Sequence, residues 1–167
     1  MDPRAKEYLL TESEAARFHR DGFFVVEEAL PDSIVERLRE LTAEVVQEDR
    51  VRLGVKDNRY HGVIDFIGQR DEFLQLVDWY RTVPKVCGLL GSEIKLYHTV
   101  GMETPKAEGW SLENYHDWAN WHTDTGNLTR DLAHGGFNPM ISLKVGYVLS
   151  DLTAPNMATV SYTHLTL

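Results

Sequence analysis

The sequence holds one cysteine, Cys87. A single thiol excludes an internal disulfide and fits a reducing compartment, the cytoplasm. Its neighbours Val86, Leu89 and Leu90 mark it as a buried, inert thiol rather than a nucleophile. No window approaches the run of about 18 apolar residues that a membrane helix requires. The opening Met1-Asp2-Pro3-Arg4 is polar and lacks the apolar region of a signal peptide. Positive charge is scarce as well: 17 Lys and Arg stand against 26 Asp and Glu, a net charge of -9. That balance argues against nucleic acid or an anionic membrane as a partner. The acid is spread without blocks, as on a solvated surface. Internal repeats and low-complexity segments are absent.

What is present suits a folded domain. The 167 residues are 43% hydrophobic and 10% aromatic, enough for one core. Thr11-Glu12-Ser13-Glu14 is a capping box, in which the Thr11 hydroxyl accepts from the Glu14 amide while Glu14 reaches back. The helix it starts should run to about Arg20 and stop at Gly22. Phe23-Phe24-Val25-Val26 reads as a short strand. Pro31-Asp32 opens a second helix with Asp32 as N-cap, and Ile34, Leu38, Leu41 and Val45 form one apolar stripe along it. Glu36, Arg37, Glu40 and Glu44 take its wet side. From Asp49 to Gln69 the pattern dissolves into a charged connection, with His61 as a surface-loop histidine. Asp71 caps a further helix carrying Phe73, Leu74, Leu76, Val77 and Tyr80. A short apolar helix follows Pro84 and stops at Gly91.

The character of the chain then changes. Glu93 to Gly101 alternates and is rich in β-formers, so a strand is expected. Met102 to Trp121 forms a long loop, of a length that usually carries function in a compact domain. Another loop spans 125–138, Met140 to Leu149 is a strand, and residues 151–156 form a turn. Helices first and strands second give an α+β chain whose working part is a sheet or barrel.

The long loop delivers the chain to Trp118-Ala119-Asn120-Trp121-His122-Thr123-Asp124. On an extended segment, side chains two residues apart point to the same side, so His122 and Asp124 can hold neighbouring corners of a metal octahedron. One more histidine would complete a facial triad of two histidines and a carboxylate, leaving three positions open. Lys144 shares one face of its strand with Ser142, Gly146 and Val148, while Ile141, Leu143, Val145, Tyr147 and Leu149 take the other. The large apolar face should pack on helices and the small-residue face should border a cavity. There the Lys144 ammonium is suited to hold a carboxylate, or it snorkels to the rim. His98, on the strand before the long loop, is placed to face the site. His116 and His134 are open alternatives as the extra ligand.

Together these stretches resemble the N-terminal part of the phytanoyl-CoA dioxygenase family of Fe(II)/2-oxoglutarate oxygenases. The likeness begins at Leu10-Thr11 and runs through Phe18-His19-Arg20-Asp21-Gly22-Phe23. It returns at Trp121-His122-Thr123-Asp124, at Leu143 to Asp151 and at Pro155-Asn156-Met157. It covers residues 10 to about 157, and the order and spacing make it specific. The resemblance implies N-terminal helices buttressing an incomplete double-stranded β-helix, or jelly roll. It implies His122 and Asp124 as the first two iron ligands, with 2-oxoglutarate as cosubstrate; Lys144 and His98, placed by their strands and with the face of His98 left open, are the candidates for the cosubstrate side. A small organic substrate and O₂ would be the partners. The family's third ligand, a distal histidine, and its arginine for the far carboxylate are expected beyond residue 167. Residues 158–167 carry no family likeness and resemble adapter read-through, so a fragment that is inactive alone is expected. The alternatives are a non-catalytic or incomplete jelly-roll domain, and a cupin-like metal protein using His116 or His134.

Overall fold

The computed structural model describes residues 2–56, 60–104, 132 and 140–152. A 3-10 turn over Pro3–Tyr8 leads into α1 (Glu12–Asp21) and α2 (Asp32–Leu53). Strand β1 (His61–Ile64), a 3-10 turn (Phe66–Gly68), α3 (Asp71–Leu74), α4 (Val83–Leu90) and strand β2 (Val100–Glu103) follow. The two strands pair antiparallel, with His61 opposite Glu103 and Val63 opposite Gly101. The described chain is thus mixed helix and sheet. No helix among the described residues is long and apolar enough to cross a membrane.

Helix α1 starts where the capping box places it. The Glu14 amide donates to the Thr11 hydroxyl at 3.2 Å, and the Thr11 amide donates to the Glu14 carboxylate at 2.9 Å. It ends at Gly22, whose φ of 78° is left-handed backbone that glycine adopts without a Cβ penalty. On α2, Leu38, Leu41 and Val45 are buried as the stripe requires, joined by Val46. With Val63 and Phe73 they form the main apolar cluster, onto which Leu30, Ile34, Phe66, Ile67, Leu76 and Leu149 pack. Burying such side chains contributes roughly 1.5–3 kcal/mol each before entropy is counted. A second cluster of Ala5, Trp79 and Tyr80 shares Leu30 and Ile34 with the first, so the two are continuous.

Several expected boundaries move. Helix α2 does not stop near Asp49 but continues to Leu53, ending on Gly54 at a φ of 67°. Its last turns stay helical because Arg52 pairs with Asp49 three residues back, and because Arg50 takes the buried position one turn after Val46. Its N-cap is Pro31 rather than Asp32, which lies inside the first turn. Likewise Arg70, not Asp71, precedes α3, which spans only Asp71–Leu74. Phe23 to Val26 joins no strand among the described residues; Phe23 and Val25 stay 51% and 64% exposed. β-forming side chains do not make a strand without a ladder to join. The strand expected over Glu93–Gly101 is shifted to Val100–Glu103, where β1 supplies the partner. Gly101 is needed there, because a Cβ would lie 2.1 Å from the Phe66 ring. Cys87 is partly buried rather than fully enclosed.

The segment 140–149 has no strand partner among the described residues, and its faces are sorted only in part: Ile141 and Val145, expected on the helix-packed face, are 40% and 43% exposed. Tyr147 and Leu149 pack onto the helical layer, while Lys144, Gly146 and Val148 are exposed on the other side.

Candidate functional site

Two of the residues expected to serve a ligand fall within the described chain. His98 is exposed, stacks on Tyr97 at a ring separation of 6.0 Å, and precedes β2 instead of lying on it. Lys144 is exposed on the side of segment 140–149 turned away from the helices. His122 and Asp124, and the alternatives His116 and His134, lie outside the described residues, as do residues 105–121 of the long loop and the tail 158–167. Among the described residues no group of three metal-ligating side chains comes together.

The chain carries a second His-x-Asp, His19-Arg20-Asp21, at the end of α1. Two residues apart on a helix point in different directions, so that pair cannot chelate as an extended one could. Asp21 is instead bonded by Arg20 at 2.7 Å.

The densest polar chemistry in the described chain is a cluster that the sequence concealed. It forms where the end of α2 meets both strands. The His61 Nε2 lies 2.8 Å from Asp49 Oδ2, and the two side chains are only 9% and 13% exposed. Arg52 also donates to Asp49, through Nε at 3.0 Å. The bonds from Arg52 and then His61 hold the Asp49 carboxyl below the usual aspartate range. The next residue, Arg50, is buried to 1% exposure. Its guanidinium donates to the Lys56 carbonyl at 2.6 Å and to the Glu103 carboxylate at 3.2 Å. Consecutive residues of one helix therefore grip both strands, Asp49 through His61 on β1 and Arg50 through Glu103 on β2. A charged guanidinium at the buried end of an apolar stripe is satisfied only by such partners.

His61 is thus a buried strand residue, not a surface-loop histidine. The signal for it was slight: His61 and Val63 alternate on one face of a four-residue strand. The enclosed imidazole joined to a carboxylate ties α2 to β1.

On the opposite side of the helical layer, the Lys85 ammonium donates to both Glu14 oxygens, at 2.6 and 2.8 Å. Burial pushes the Glu14 carboxyl up, but the bonds from Lys85 and Thr11 outweigh it and hold the carboxyl below the usual range. A phenol contact completes the layer: the Tyr147 hydroxyl lies 2.7 Å from Thr82 Oγ1. Compared with family models, with curated proteins and with solved structures, the chain has no match in any of the three.

Proposed function

We propose that this chain is the N-terminal part of an Fe(II)/2-oxoglutarate-dependent dioxygenase of the phytanoyl-CoA dioxygenase type, hydroxylating a small organic substrate. The observation that carries the reading is the ordered set of sequence matches, with Trp121-His122-Thr123-Asp124 at its centre. The described fold is in keeping with it, because residues of α2 and α3 and the Trp79–Tyr80 stretch form one continuous apolar layer. Segment 140–149 lies against that layer with Lys144 turned outward. In this reading the layer buttresses one sheet of a jelly roll whose other face borders the site.

The donor set suits the metal: a neutral imidazole and a carboxylate are ligands that Fe(II) accepts, and they leave room for a chelating cosubstrate. His122 and Asp124 would hold the iron, and a third protein ligand is required to complete the face. When bound, Fe(II) with 2-oxoglutarate and O₂ supplies the oxidising chemistry: one oxygen atom enters the substrate C–H bond, the other enters succinate, and CO₂ leaves. The protein's part is geometric. The Lys144 ammonium pairs with a cosubstrate carboxylate, a charge-assisted contact that orients it. His98 flanks the same side, and the tryptophans beside His122 exclude water.

The test is O₂ uptake by the full-length protein with Fe(II) and ascorbate, with and without 2-oxoglutarate, followed as succinate. His122→Ala and Asp124→Ala are each expected to abolish turnover, because a site short of one ligand holds iron poorly. Undiminished 2-oxoglutarate decarboxylation in both variants would sink the assignment.

A further inference from the structure

Segment 140–149 forms no helix, and among the described residues it joins no strand. Within a sheet the hydrogen-bond ladder fixes register, and a slip of one residue turns every side chain to the other face. Among the described residues, this segment is held by side chains. The Tyr147 hydroxyl reaches Thr82 Oγ1 at 2.7 Å and donates to the Leu76 carbonyl at 3.3 Å. Thr82 is itself buried, 6% exposed at the start of α4, so the hydroxyl meets a fixed partner. The Tyr147 ring packs with Trp79 and Tyr80, and Leu149 two residues on enters the α2 cluster. Burial pushes the Tyr147 phenol up against the opposing pull of the Thr82 bond, so the group is a neutral donor at ordinary pH.

We infer that the Tyr147–Thr82 hydroxyl pair fixes the register of segment 140–149, and so decides which face carries Lys144 away from the helices. A slip of one residue would bring Gly146 or Val148 to Thr82. Neither has a hydroxyl, so the bond to Thr82 is lost, and Tyr147 and Leu149 would leave the apolar clusters. Two penalties therefore oppose the slip at once. On the outward face, a Cβ at Gly146 would meet no atom of the described residues within 4 Å. Tyr147 and Thr82 are positioning residues, acting through Lys144. That Lys144 receives a cosubstrate carboxylate rests on the proposed function; the register claim does not.

Hydrogen–deuterium exchange of the full chain, read on peptides covering 140–149 and on α2, tests the inference. Tyr147→Phe keeps the ring and removes the hydroxyl, Thr82→Val does the same at its partner, and Thr82→Ser keeps a hydroxyl in place. Both losses should speed exchange across 140–149 about fivefold, the effect of one hydrogen bond of ordinary net strength, with α2 unchanged. Thr82→Ser should behave as wild type, and combining Tyr147→Phe with Thr82→Val should add nothing further. If Thr82→Val fails to fold, Tyr147→Phe against wild type decides alone. Unaltered exchange in 140–149, or equal acceleration throughout α2, would overturn the inference. Local acceleration with unchanged 2-oxoglutarate affinity, titrated anaerobically with Fe(II), would uphold the register claim and count against Lys144 as the carboxylate's partner.

Discussion

Two ion pairs tie this fold together, and they are built differently. Glu14–Lys85 joins α1 to α4, and both side chains are largely enclosed, 21% and 10% exposed. Arg50–Glu103 joins α2 to β2, and only the arginine is enclosed, 1% against 54% for the carboxylate. Removing either member of the first pair strands a buried charge. In the second, only loss of the carboxylate threatens one, and the Lys56 carbonyl still serves the guanidinium. The strength of an ion pair here depends on what is left behind when one side is removed.

The largest effect should come from Glu14→Ala. It leaves the Lys85 ammonium with the Leu9 carbonyl at 3.5 Å and removes half of the capping box. A loss of about 3 kcal/mol is expected in denaturant unfolding. A loss under about 1 kcal/mol would show that the pair is no better than a surface one. Arg50→Met should cost less, roughly 1–2 kcal/mol, since it keeps most of the buried volume and leaves Glu103 in water. Glu103→Gln should cost least, under about 1 kcal/mol, because the amide stays half exposed and can still accept from Arg50. If Glu103→Gln proved as harmful as Glu14→Ala, the contrast between the pairs would fail.

Acid sharpens the same contrast. The Glu14 carboxyl is held below the ordinary 4.5 of a glutamate, so its clamp is fully present above that value. It is lost as pH falls through the lower folded value, because the unfolded chain takes up the proton first. Thermal midpoints should therefore drop below about pH 4.5, and Glu14→Gln should flatten that drop. Asp49, lowered by Arg52 and His61, adds a loss of the same sign. A midpoint curve with the same acid slope in Glu14→Gln and wild type would exclude Glu14 as the group responsible.

Before Gly91, much of the helical layer was legible. The capping box, the glycine stops at Gly22 and Gly91 and the Leu38-Leu41-Val45 stripe are local signals, and local hydrogen bonds answer them. The end of α2 was hidden because its buried position is filled by Arg50, which reads as surface until Glu103 and Lys56 are brought beside it. His61 was hidden for the same reason: its partner Asp49 becomes visible only when the helix is known to continue past it. The sheet was least legible, since Val100–Glu103 pairs across the whole α3–α4 region and nothing local selects those four residues over Glu93–Thr99. Of the candidate site, the packing of Tyr147 and Leu149 was readable in advance, whereas Ile141 and Val145, expected on the same face, are exposed. The Tyr147–Thr82 bond that anchors the segment was not readable, because threonine and tyrosine carry no periodic signature.

The proposed function stands most directly on iron binding at His122 and Asp124. Anaerobic titration of Fe(II) into the full chain in the presence of 2-oxoglutarate measures it without requiring turnover. The account predicts one iron site whose affinity falls at least about tenfold in His122→Ala and again in Asp124→Ala, the scale that even supporting residues of a metal site carry. Iron affinity unchanged by both substitutions would contradict it.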